Sequence, residues 1–116
     1  MYTRYNSNFS NTLPFSNINF NAALATSTAL GYTVPGVATQ RFKVKFRSNY
    51  SAEIWVCYNG TAAIPSAGTG STVPYQELLP LNESRYVNGG DTLSFICSTG
   101  TPQVSAQFLL VEDTTS

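Results

Sequence analysis

Between Arg41 and Arg47 hydrophobic and cationic residues alternate without a break. Phe42, Val44 and Phe46 take one set of positions, and Arg41, Lys43, Lys45 and Arg47 the other. Successive side chains of a β-strand point to opposite faces, so this pattern is a strand with a core side and a charged side. A helical period of 3.6 residues would scatter the same side chains around a cylinder. Alternation returns in Ile18–Ala22. It returns again in Thr92–Ser98, with Leu93, Phe95 and Cys97 facing one way, and in Val104–Glu112, with Val104, Ala106, Phe108 and Leu110 on one side. Glu53–Tyr58 is different. Ile54, Val56 and Tyr58 share one face and Trp55 and Cys57 the other, so both faces are largely apolar, as in a central strand covered on both sides.

Turn chemistry separates these runs. Gly31 and Pro35-Gly36 punctuate the approach to the basic strand, and residues 48–51 read as a turn. Asn59-Gly60 ends the Trp55 strand, and Asn88-Gly89-Gly90-Asp91 is the clearest tight turn. Ala22–Leu30 has room for one or two helical turns, weakened by Thr26, Ser27 and Thr28. Residues 61–72 form a small-residue loop, either a functional extension or a flexible connection. Val73–Leu79 is an edge strand because Pro74 cannot donate to a ladder, and Glu83–Val87 is a further short strand. The expected fold is all-β: a single-domain sandwich or jelly roll of about 6–8 strands, with an extended N-terminal arm.

Composition sharpens this picture. The 116 residues suit one domain, and charged residues make up only 10% against a usual quarter or so. Residues 1–39 hold a single charge, Arg4, with Asn at 6, 8, 11, 17, 19 and 21. They read as a charge-poor arm and first strand or strands, packed on or beside a core of residues 40–112, with a polar tail at 113–116. In the arm, Tyr2, Tyr5 and Phe9 are candidate anchors on a neighbouring subunit, aromatic rings set among polar hydrogen-bonding residues. No apolar run reaches membrane-spanning length, and the first residues lack a signal-peptide pattern, so synthesis in a cytoplasm is expected. Cys57 and Cys97 read as buried, reduced thiols, with a bridge between strands as the other option.

The sequence is poor in catalytic chemistry. It has no histidine, the usual general base near neutral pH and the commonest metal ligand. Its carboxylates are dispersed, and its glycines match no phosphate-binding loop. The expectation is a non-enzyme without cofactor or metal. Four of the six Lys and Arg residues lie at Arg41, Lys43, Lys45 and Arg47, which form the candidate partner-contact surface. Three readings of that face stand: a solvated strand, a docking stripe for an acidic protein, and a polyanion site. A net charge of zero makes nucleic acid the weakest of them. Under a second functional reading, Trp55, Tyr75 and Tyr86 are aromatic platforms for a carbohydrate or receptor.

The runs Tyr58-Asn59-Gly60-Thr61-Ala62, Glu77-Leu78-Leu79-Pro80 and Arg85–Phe95 resemble those of small all-β virion proteins of tailed bacteriophages, of the capsid-decoration or head-fibre type. The resemblance spans about sixty residues of the C-terminal two-thirds of the chain. It implies a structural protein, made in host cytoplasm and incorporated in the virion. Such a protein is often a trimer and contacts the major capsid protein or another virion component. The alternative is a receptor- or carbohydrate-binding module of a fibre or tail.

Overall fold

The computed structural model describes residues 15–49, 53–65 and 72–113. Eight strands account for most of them: β1 (Ile18–Ala23), β2 (Leu30–Thr33), β3 (Gln40–Ser48), β4 (Ile54–Tyr58), β5 (Gln76–Leu78), β6 (Arg85–Asn88), β7 (Thr92–Cys97) and β8 (Gln103–Asp113). They form two four-stranded sheets, sheet A in the order β1-β8-β3-β6 and sheet B in the order β2-β7-β4-β5. All pairings between these strands are antiparallel. Each strand pairs with its counterpart counted from the other end of the chain: β1 with β8, β2 with β7, β3 with β6, β4 with β5. A long ribbon doubled back and rolled into two sheets is the eight-stranded jelly roll.

The core lies between the sheets. Val44, Phe46, Phe95, Cys97, Val104, Ala106 and Phe108 are shielded from solvent, and Phe42, Ile54, Val56, Val87 and Leu93 pack with them. The two long edges of the sandwich are built differently. Where β1 faces β2, Phe20 stacks on Tyr32 with ring centroids 4.0 Å apart, and these rings continue onto Phe95 and Phe108. Where β5 faces β6, no such stack fills the gap among the described residues. Outside sheet B a small second cluster joins Cys57, Ala62 and Ile96, with Trp55 against it. Residues 61–63 run over that face, with the Ala62 amide donating to Ser94 Oγ and the Ala63 amide to Gln76 Oε1.

Several expectations change. Leu30–Thr33 is a strand although Gly31 read as punctuation, since Leu30 and Tyr32 still alternate with outward Gly31 and Thr33. Residues 24–29 form no helix. Leu24 is buried, and Thr26 bridges to Cys97. The strand expected over Val73–Leu79 shrinks to Gln76–Leu78, because Pro74 and Tyr75 turn into it, and it does lie at a sheet edge. Both cysteines are free. Cys97 pairs in register with inward Ile54, whereas Cys57 pairs with Ser94 on the outer side, so a bridge would have to cross sheet B. β1 and β2, within the charge-poor zone, each supply an edge strand to one sheet. Tyr2, Tyr5 and Phe9 lie outside the described residues.

Candidate functional site

β3 is an interior strand of sheet A, held between β8 and β6. Phe42, Val44 and Phe46 are buried, and Arg41, Lys45 and Arg47 are exposed, with Lys43 half-buried among them. The four cations therefore share the outer face of sheet A, roughly two residues apart along one strand. Opposite them in register on β8 stand Glu112, Leu109, Gln107 and Ser105, so one carboxylate lies near one end. Among the described residues none of the four cations forms an ion pair. Arg41 instead places its guanidinium carbon 5.4 Å from the centre of the Tyr86 ring, a cation–π contact between outward residues of β3 and β6.

Two other carboxylates, Glu77 and Glu83, meet at a sheet edge. At the β5/β6 edge, Glu77 points inward from β5 opposite Val56, and Arg85 points inward from β6 opposite Val44. The two span the gap between the sheets. Arg85 Nε donates to Glu77 Oε2 at 2.9 Å, and Nη2 donates to Oε1 at 2.9 Å, with a further bond to Glu83 Oε1 at 3.0 Å. These bonds hold the Arg85 pKa above its already high ordinary value, the Glu77 hydrogen bonds contributing most. Beside the pair is a cleft of about 130 Å³, floored by Val44, Phe46, Val56, Val87 and Leu93 and bordered by Tyr58, Tyr75 and Tyr86. The floor side chains are themselves buried, and the cleft opens beside them next to the three-residue strand β5.

Two tyrosines are fixed in unusual ways. Tyr75, 81% exposed, sits in left-handed backbone with φ 59, and its carbonyl accepts from the Tyr58 amide at 2.9 Å. A bulky side chain in that region stores backbone strain. The Tyr58 hydroxyl donates to Asp91 Oδ2 at 2.7 Å, an oxygen that also takes the Asn88 amide of the β6–β7 turn. That hydrogen bond, with burial and the carboxylate charge adding to it, raises the Tyr58 pKa above its ordinary value.

Of the sequence-derived platform residues, Tyr75 and Tyr86 border one cleft, whereas Trp55 is on the other face of sheet B, half-buried against Ala62 and Ile96. Its Nε1 is buried with no partner among the described residues. Tyr58, Glu77 and Arg85 stand in the runs that carry the resemblance, but the sequence assigned none of them to a ligand platform. The signal available was the inward register of two opposite charges on adjacent short strands, which a strand register alone reveals. Among the described residues, no group of three His, Cys, Asp or Glu side chains comes together that could hold a metal. Comparison with known proteins finds no matching family model, curated protein or solved structure.

Proposed function

We propose that this chain is a non-enzymatic structural protein of a bacteriophage virion, decorating or stabilising the capsid through subunit contacts. One observation carries the reading: Arg41, Lys43, Lys45 and Arg47 form a cationic strand face without ion pairs among the described residues, on a molecule of zero net charge. A face whose four cations stand against one carboxylate, Glu112, suits an acidic partner surface, where charge complementarity sets register and speeds encounter. The jelly roll, an architecture shared by viral capsid and lectin domains, agrees with this reading. So does the low charge of 10%, which suits a subunit covered by neighbours. The partner is the major capsid protein or another virion component, and no cofactor takes part. The protein is made in host cytoplasm and functions in the virion as a homo-oligomer, a trimer being one form open to it.

Cosedimentation with virions at graded salt tests the docking face. The Lys43→Glu/Lys45→Glu variant should lose binding while keeping its thermal transition, and wild-type binding should weaken as salt rises. Unchanged affinity and salt dependence in the variant would reduce the stripe to a solvated face. The arm contributes subunit contacts through Tyr2, Tyr5 and Phe9. The first described strand begins at Ile18, after residues 1–14. A protein lacking residues 1–14 should lose its oligomeric state by light scattering. An oligomer that survives the truncation sinks the arm's role.

A further inference from the structure

We propose that the cleft between β5 and β6 binds one neutral saccharide ring, at a site that adjoins the cationic face of β3 only through Tyr86. The site is built from both sheets. Val44, Phe46, Val56 and Leu93 give it a floor of core side chains, Tyr58 and Tyr75 stand at its mouth, and the Glu77–Arg85 pair crosses its side. A second hollow, lined by Tyr58, Tyr75, Gln76 and Glu77, opens next to the first and shares three of its residues.

The chemistry of these groups selects the ligand class. A sugar ring has an apolar C–H face and a rim of hydroxyls. Tyr75 offers an exposed aromatic face, and its hydroxyl makes no hydrogen bond among the described residues. Its left-handed backbone, tied by the Tyr58 amide, holds the ring out over the cleft where packing gains nothing. Strain kept at an exposed aromatic points to use by a ligand. Glu77 retains acceptor capacity beyond its two bonds to Arg85, and such carboxylate lone pairs suit hydroxyl donors. Arg85 is shared by Glu77 and Glu83, so the cluster carries one net negative charge and repels an anionic ligand, and any charged ligand would have to compete with a bidentate pair. At about 130 Å³ the cleft is well below the 300–1,000 Å³ typical of drug-sized pockets, which limits it to a single ring. An extended peptide fits poorly, since the adjoining edge strand β5 has only three residues to pair with.

Amide and side-chain NMR of the isotope-labelled full chain, titrated with D-glucose, D-galactose, D-mannose and N-acetyl-D-glucosamine, tests this. At least one sugar should move the Tyr58, Tyr75, Glu77 and Arg85 signals saturably in the millimolar range. Tyr75→Ala should weaken that sugar by about tenfold, the loss of one stacking contact. Glu77→Gln should also weaken it, and Trp55→Phe should leave it unchanged. A panel that leaves these four residues unmoved overturns the proposal, as does binding that survives Tyr75→Ala or follows Trp55. Virion cosedimentation is read independently, so either result stands without the other.

Discussion

At the scale of single residues, two sites show how local chemistry is decided by what lies across the fold. Tyr58 donates to Asp91, which favours the protonated phenol, and Tyr32 has its pKa raised by burial. Above the ordinary value of 10.0 the native state keeps protons that the unfolded chain has begun to lose. The contribution is therefore complete below that value and is lost as pH rises through the folded one. Urea midpoints of the wild type should fall in this alkaline window, and Tyr58→Phe should fall less steeply. Gly89 and Gly31 give opposite signs. A Cβ on Gly89 would strike the backbone of Gly36 and Val37, so Gly89→Ala should cost about 1–3 kcal/mol. A Cβ on Gly31 meets nothing, so Gly31→Ala should stabilise by about 0.5–1 kcal/mol through reduced unfolded-state entropy. Chemical denaturation of the two variants checks both signs.

At the scale of elements, the two open edges of the sandwich are closed by different physics. Phe20 and Tyr32 join β1 to β2 by burying aromatic surface, whereas Arg85 and Glu77 join β6 to β5 by an ion pair whose side chains are 37% and 44% exposed. Half-exposed pairs gain little over hydration, so Arg85→Ala should cost only about 0.5–1 kcal/mol. Phe20→Ala, removing a ring packed against the core, should cost about 2–4 kcal/mol. Equal losses at the two edges, measured by denaturant unfolding, would contradict this division. Inward charges on a short edge strand also discourage a second sheet from adding there. β3 combines two roles. Its hydrophobic face was legible from period two alone, and its cationic face follows from the same geometry.

At the scale of the whole molecule, zero net charge hides an uneven distribution. Positive charge lies along one sheet face, and Glu77 and Glu83 are at the β5/β6 edge with Arg85. The rolled topology brings these regions together from distant parts of the sequence, since β1 pairs with β8 and β2 with β7. Such non-local pairing makes loop closure costly before contacts repay it, which places folding toward the slower end for small domains.

Alternation of side-chain character was enough to specify most strands and the face each one buries. It did so for β3, β7 and β8 because the strand period is a local property of the backbone. Turn chemistry placed the Asn88–Asp91 corner for the same reason, through glycines that tolerate left-handed backbone, as Gly90 does at φ 88. β2 was hidden because four residues with a glycine carry too little alternation to read. Which strands become neighbours was decided only by packing two sheets around one core. That step separated Trp55 from Tyr75 and Tyr86, brought Tyr58 beside Tyr75, and joined Arg85 to Glu77 across a gap between sheets. Strand character is set by neighbours along the chain, whereas the cleft exists only where residues far apart in sequence meet.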